Sequence, residues 1–228
     1  MRKVIILGGE GNGLVVAATI DRNGFAICEG FLNDVDEPGS SWGNKKKVPV
    51  LGKTDEIVER LQEDDDLYVM SAYAGFTNPV ASLERILELG IPEDRWFTLV
   101  DKTAVIPIEY CEIGKDCFIG PLVQMSANAV VQDHSVLWGN SFIGHDSTVG
   151  EFCHVASNAV IGSFVTIGSG VHVGLNSVIR ERITVGDNSI IGAGAVVVKD
   201  VPENAIVVGN PGKILKYREN GVLVRGGE

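Results

Sequence analysis

The hydrophobic pattern changes character about halfway along the chain. From Ile113 onward every sixth residue is apolar: Ile113, Ile119, Met125, Val131, Leu137, Ile143, Val149, Val155, Ile161, Ile167, Val173, Ile179, Val185, Ile191 and Val197. Glycine often follows directly, as in Ile143-Gly144, Val149-Gly150 and Ile161-Gly162, and the position four after each apolar residue is small or β-branched, as at Cys117, Ala129, Ser147 and Val165. A period of six matches neither the 3.6-residue turn of a helix nor a heptad, and glycine and β-branched residues are poor helix formers. The pattern predicts a hexapeptide β-helix, in which each hexad supplies one short strand and one corner. Three hexads close a coil, so residues 18 apart stack at about 4.8 Å, the spacing of neighbouring strands, and the series predicts about five coils.

The first hundred residues alternate differently. Residues 3–8 read as a buried strand that runs into Gly8-Gly9-Glu10-Gly11-Asn12-Gly13, followed by helical patterning from Leu14 to Arg22 and a stop at Asn23-Gly24. A second strand is expected at Ala26–Leu32, ending at Asn33-Asp34; helices at Asp55–Gln62, after a Thr54 N-cap, and at Pro79–Leu89; and strands at Leu67–Ala72 and Trp96–Val100. Ser40–Lys47 reads as an exposed loop. Strand, glycine loop, helix and strand open a nucleotide-binding βαβ unit, in which helix N-terminal amides receive a pyrophosphate. Leu14 stands where a strict dinucleotide fingerprint needs glycine, so a redox cofactor is disfavoured, while a purely structural turn stays open. The expected division is an α/β unit at residues 1–100 and the β-helix with a C-terminal tail at residues 101–228.

Charge narrows the partners. The 228-residue chain has a formal charge of −11, with 19 Lys+Arg against 30 Asp+Glu, and neither half has the basic footprint that phosphate-backbone binding needs, so no nucleic acid is expected. No window approaches the ~18 apolar residues of a membrane span, and a soluble cytoplasmic protein is expected. Cys28, Cys111, Cys117 and Cys153 have no CxxC spacing; the last three fall on the small inward hexad position and are read as packing residues.

A β-helix interior filled with aliphatics forces reactive groups to the corners. His145 and Asp146 occupy the third and fourth places of one hexad, and Ser163 lies one coil beyond His145, beside Gly162. A histidine that accepts a proton, a carboxylate that fixes its tautomer and an amide that receives an oxyanion are the parts of acyl transfer, although Asp146 also reads as a plain corner residue. His154 and His172 are 18 apart and stack on one edge, which could begin a metal site. No two histidines have the five-residue spacing of a hexapeptide-helix zinc lyase, and no metal is expected.

Gly8–Gly13 with Leu14-Val15-Val16, Asn33-Asp34, His145-Asp146-x-x-Val149-Gly150-Glu151-Phe152-x-His154, Gly174-Leu175-Asn176-Ser177 and Gly209-Asn210-Pro211-Gly212-Lys213 carry a resemblance over nearly the whole chain. They resemble the sialic-acid O-acetyltransferase family of bacterial sugar acyltransferases, and within it the N-acetyltransferases of nucleotide-linked 4-amino-4,6-dideoxysugars. The resemblance implies a Rossmann-like N-terminal domain that holds a sugar nucleotide, and a left-handed parallel β-helix that assembles as a homotrimer with acetyl-CoA in the groove between subunits. It implies His145 as general base aided by Asp146, and His154 against the sugar. It also implies the Ser163 amide at the thioester carbonyl, Leu175 and Ala193 along the pantetheine arm, and Gly8, Gly11, Asn12, Gly13, Asn33 and Asp34 around the nucleotide. Asn12 stands where the family commonly has histidine, Asp146 where some members have glutamate, and Gly212 where alanine is usual. The expected function is acetyl-CoA-dependent N-acetylation of a nucleotide-linked amino deoxysugar. The alternatives are O-acetylation on the same fold, a carbonic anhydrase-like zinc lyase and a non-catalytic sugar-nucleotide-binding scaffold.

Overall fold

A computed structural model describes residues 1–72 and 79–218. Of these, the first compact unit takes in residues 1–72 and 84–99, and residues 79–83 and 100–218 fall in the second.

In the first unit β1 (Arg2–Leu7) leads through the glycine loop to α1 (Asn12–Asn23) and back to β2 (Ala26–Leu32), with β3 (Ser41–Trp42), β4 (Val48–Gly52), α2 (Ile57–Glu63) and β5 (Leu67–Ser71) following. The sheet order is β3-β4-β2-β1-β5; β1 runs parallel to both β2 and β5, and β2 runs parallel to β4. β1 is an interior strand, flanked by β2 and β5, which is why Val4 to Leu7 form an unbroken apolar run with at most 2% exposure. α1 ends where the pattern predicts, with Gly24 in the left-handed region at φ 75° and its N–H bonded to the Ile20 carbonyl.

Two details of this unit differ from expectation. Thr54 does not cap α2; it opens a short 3-10 turn, Thr54–Glu56, whose Glu56 carboxylate accepts from the Lys53 N–H at 2.8 Å, leaving the Thr54 hydroxyl to reach Asp34. The segment read as a loop at Ser40–Lys47 contains β3, because Ser41 and Trp42 pair antiparallel with Pro49 and Val48. The expected helix at Pro79–Leu89 is present as α3 (Pro79–Glu88).

The second unit is built from two-residue strands stacked in three columns, a pattern that fits a left-handed parallel β-helix. One column holds Glu112–Ile113, Val130–Val131, Thr148–Val149, Thr166–Ile167 and Thr184–Val185, each strand paired in parallel with the one 18 residues on. The second runs through Gln124–Met125, Phe142–Ile143, Val160–Ile161, Val178–Ile179 and Val196–Val197. The third runs from Phe118–Ile119 through Val136–Leu137, His154–Val155, His172–Val173 and Ile190–Ile191 to Ala205–Val208.

Two positions per hexad point inward, as at Ile143 and Ser147 or Val149 and Cys153, all 0% exposed. Several inward polar groups are satisfied by the next coil: Ser147 Oγ donates to the Gly162 carbonyl at 2.8 Å and accepts from the Val165 N–H at 3.0 Å, while Cys153 Sγ reaches the Gly168 carbonyl at 3.0 Å. Burial pushes the Cys117 and Cys153 thiols up to about 12, so they are packing groups rather than nucleophiles.

The close-approach glycines and the left-handed backbone fall at different places of the hexad. The glycines after the inward aliphatics allow close approach: a Cβ on Gly150 would lie 2.7 Å from the Gly168 carbonyl carbon. The left-handed conformation falls two residues later. Every sixth residue from Asp116 to Gly194 has φ between 51° and 68°. Asparagine, which tolerates this region, holds many of these corners.

On the third face Trp138 Nε1 donates to His154 Nε2 at 2.6 Å, and the His154 and His172 rings stack with centroids 4.7 Å apart. Burial holds His154 down at about 4; burial, then the neighbouring His154 and Arg218, holds His172 at about 3.

Two outcomes follow from this packing. Gly150→Ala should destabilise the β-helix by about 1–3 kcal/mol in denaturant unfolding, the usual scale of overpacking against fixed backbone. Because both imidazoles are neutral when folded and bind protons readily when unfolded, stability is complete above about pH 6.5 and should fall as the pH drops toward 4. Melting curves across that window should flatten in His172→Phe relative to the wild-type chain.

Candidate functional site

The corner between the second and first columns carries the arrangement with most chemical potential. His145 Nδ1 lies 2.7 Å from Asp146 Oδ2, and Asn128, one coil back, donates to Asp146 Oδ1 at 3.0 Å. Adjacent residues of an extended strand point to opposite faces, but these two occupy a turn, and Asp146 at φ 57° folds its carboxylate back onto its neighbour. The hydrogen bond from His145, then that from Asn128, holds the Asp146 carboxyl below the usual carboxylate range. Its bond to Nδ1 leaves Nε2 as the acceptor of a neutral imidazole. The His145 side chain is 50% exposed, so that nitrogen is open to a ligand.

Ser163 stands on the same corner one coil further on, where its carbonyl accepts from the Arg182 N–H at 3.0 Å. Its own N–H has no hydrogen-bond partner among the described residues. Gly144 is what lets the two coils close here, since a Cβ on it would fall 2.6 Å from the Ser163 nitrogen. An exposed, carboxylate-paired imidazole and a backbone N–H with no partner among the described residues therefore share one corner.

The other residues expected in the β-helix lie elsewhere on the prism. Leu175 and Ala193 share the corner between the third and second columns, both exposed, with the Leu175 carbonyl bonded to the Gly194 N–H at 2.8 Å. His154 is on the third face, committed to Trp138 and His172. One chain therefore does not bring His154, Leu175 or Ala193 onto the corner of His145. Among the described residues no group of three or more His, Cys, Asp or Glu side chains is placed to hold a metal ion.

In the first unit Gly8 (φ 119°) and Gly11 (φ 74°) turn β1 into α1, and the latter occupies the helix N-cap with no side chain to satisfy the first-turn amides. Gly13 is buried against Phe31, which a Cβ would meet at 3.1 Å, and Asn12 opens the helix. Asn33 is 8% exposed; its Oδ1 accepts from the Val35 and Asp36 N–H groups at 2.7 and 3.1 Å, and its Nδ2 donates to Asp36. Asp34 accepts from the Thr54 N–H at 3.0 Å, from the Thr54 hydroxyl, and from Arg85 at 3.0 Å. Burial raises the Asp34 carboxyl, but the bonds from Thr54 and Arg85 together outweigh it and hold it low. Asn33 and Asp34 thus brace the loops around the glycine turn with their side chains.

Sequence reasoning missed Asn128, Phe164 and Arg182 on the corner of His145, and Trp138 beside His154. The 18-residue stacking rule finds the first three when applied to the left-handed position: residues 128, 146, 164 and 182 form one column.

The family description bacterial transferase hexapeptide (six repeats) matches residues 164–199. No curated protein sequence matches the chain significantly. Among solved structures, the acetyltransferase domain of PglB from Neisseria gonorrhoeae FA1090, in complex with acetyl coenzyme A, is similar at 25% identity and TM-score 0.78, over 94% of this chain and 99% of that one. A mutant of perosamine N-acetyltransferase from Caulobacter crescentus, in complex with CoA and GDP-perosamine, shares the fold with TM-score 0.80 at 22% identity, over 95% and 98% of the two chains. WeeI from Acinetobacter baumannii AYE does so with TM-score 0.75 at 23% identity, over 94% and 100%. The chain thus carries the hexapeptide transferase repeat at residues 164–199 and shares its fold with these acetyltransferase structures over nearly its whole length.

Proposed function

We propose that the protein is an acetyl-CoA-dependent N-acetyltransferase acting on the amino group of a nucleotide-linked amino deoxysugar. The observation that carries this reading is the 2.7 Å His145–Asp146 pair sharing a corner with the Ser163 N–H, which has no partner among the described residues. A hydrogen bond from Nδ1 to Asp146 leaves His145 Nε2 to take a proton from the amine as its nitrogen attacks the thioester carbonyl. The Ser163 N–H receives the negative charge that develops on the carbonyl oxygen. Collapse of the tetrahedral species breaks the carbon–sulfur bond, and the imidazolium returns its proton to the departing CoA sulfur. Amine and thioester react readily once aligned, so the protein's work is mainly proximity plus one base.

The first unit is read as a Rossmann-like domain that holds the nucleotide. The parallel order β4-β2-β1-β5, the glycine turn and the uncapped N-terminus of α1 support that role, with Gly8, Gly11, Asn12 and Gly13 around the phosphates. Asn33 and Asp34 are assigned to shaping this site, since their side chains are already engaged. A protein that binds an activated sugar favours the amine acceptor over a free sugar hydroxyl.

Homotrimeric assembly completes the proposal. His145 and Ser163 occupy one corner, Leu175 and Ala193 another, and His154 the third face, so a single site using all five requires corners from two copies. In that arrangement Leu175 and Ala193 line the pantetheine arm, and His154, whose Nε2 is engaged by Trp138, is assigned to backing the wall that faces the sugar.

A thiol-release assay with acetyl-CoA and a panel of UDP-, GDP- and dTDP-linked 3-amino and 4-amino deoxysugars tests the function. Turnover is expected with at least one amino sugar and not with its hydroxyl analogue. His145→Ala should cut kcat/KM by roughly 10²-fold or more, the usual scale for a general base, whereas unchanged turnover in that variant would remove the proposed base.

A further inference from the structure

We propose that Phe164 is a positioning residue for His145, clamped in turn by Arg182; this rests on the reading of His145 as the base. The bond between His145 and Asp146 joins neighbours on one turn, and both side chains are well exposed, at 50% and 37%. Such a local bond fixes the two groups relative to each other but leaves the pair free to swing together. What the imidazole meets beyond its own turn is the Phe164 ring, with centroids 5.0 Å apart and planes at 85°. That edge contact is one of the two favoured aromatic geometries.

Phe164 stands at a corner where the backbone of the coil imposes φ 58°, and Asn128, Asn140, Asn158, Asn176 and Asn188 hold equivalent corners on other turns. A bulky side chain there is disfavoured by roughly 1–2 kcal/mol. Deep burial does not offset that cost, because the residue is 44% exposed. What the ring gains at this corner is its contact with His145 on one coil and Arg182 on another.

The ring is restrained on its far side as well. The Arg182 guanidinium lies 4.5 Å from the Phe164 centroid, a cation–π contact one coil further on. Backbone bonds set the register of all three levels: the Phe164 N–H donates to the His145 carbonyl and the Arg182 N–H to the Ser163 carbonyl, each at 3.0 Å. The other phenylalanine in the left-handed region, Phe152, also lies against a carboxylate-paired imidazole. It stacks on His134 at 4.5 Å, and His134 Nδ1 is 2.8 Å from Asp116. In both places the phenylalanine accompanies a histidine whose orientation it limits.

Phe164→Asn separates positioning from stability, because asparagine suits the backbone while removing the ring. Its melting temperature should equal or exceed that of the wild-type chain. Its kcat should nevertheless fall roughly 10- to 100-fold, the scale of a small misplacement of a reacting group, with KM for acetyl-CoA changing far less. Phe164→Tyr should restore most of the loss, and Arg182→Ala should show a smaller fall in kcat. A Phe164→Asn enzyme with wild-type kcat overturns the proposal. If the wild-type chain transfers acetyl to no acceptor of the panel, the catalytic reading fails, and NMR of isotope-labelled histidine decides the positioning separately. A single His145 ring orientation that becomes rotamer-averaged in Phe164→Asn supports the clamp, and an identical spectrum contradicts it.

Discussion

Coil-to-coil hydrogen bonding at a fixed offset of 18 residues is the constraint on which the β-helical half of this protein depends. Strands of two residues cannot hold a register alone. Each is locked because its amides and carbonyls pair with strands above and below, while inward aliphatics and small residues interlock beneath it. The cost is close approach of backbones, which explains why Gly144, Gly150 and Gly162 sit where a Cβ would collide with the next coil. Once the offset is fixed, every residue type repeated at 18 becomes a column, and the chemistry of a corner is decided by what stands in that column.

This explains how chemistry-bearing groups come together on the surface of such a scaffold. The interior is filled, so the reactive groups must stand on corners, and the left-handed backbone there aims side chains differently from a strand. Asp146 reaches its immediate neighbour only because of that backbone. Elsewhere the same conformation yields different side-chain partners: Asn140 bonds Asn158, and His134 bonds Asp116. The His145 corner differs in joining an exposed imidazole to a backbone N–H with no partner among the described residues, a pairing suited to acyl transfer.

Much of this was legible in the sequence, for reasons that differ by region. The β-helix was readable because a six-residue period has a single structural solution, and residues 18 apart then had to stack. In the first unit the glycine turn marked the junction of β1 and α1, but Thr54 misled, because an N-cap signature does not reveal that a distant Asp34 competes for the hydroxyl. The strand at Ser41–Trp42 was hidden by a polar, lysine-rich setting whose pairing with Val48 and Pro49 is tertiary. On the His145 corner, the stacking of Ser163 one coil beyond was readable from spacing, and so was the column of residues 128, 146, 164 and 182. The perpendicular contact of the Phe164 ring with the imidazole was not, since it depends on the left-handed turn and on side-chain rotamers. Asn33 and Asp34 were found as a motif, yet their side chains turned out to brace neighbouring loops.

The most direct measurement of the central claim is a crystal structure of the protein with CoA and a nucleotide-linked amino sugar. The account predicts the sugar amine about 3 Å from His145 Nε2, the CoA sulfur beside the Ser163 N–H, and a pantetheine arm running past Leu175 and Ala193 of a second copy. CoA bound away from the His145 corner, or a complex in which Leu175 and Ala193 of every copy face solvent, would contradict it.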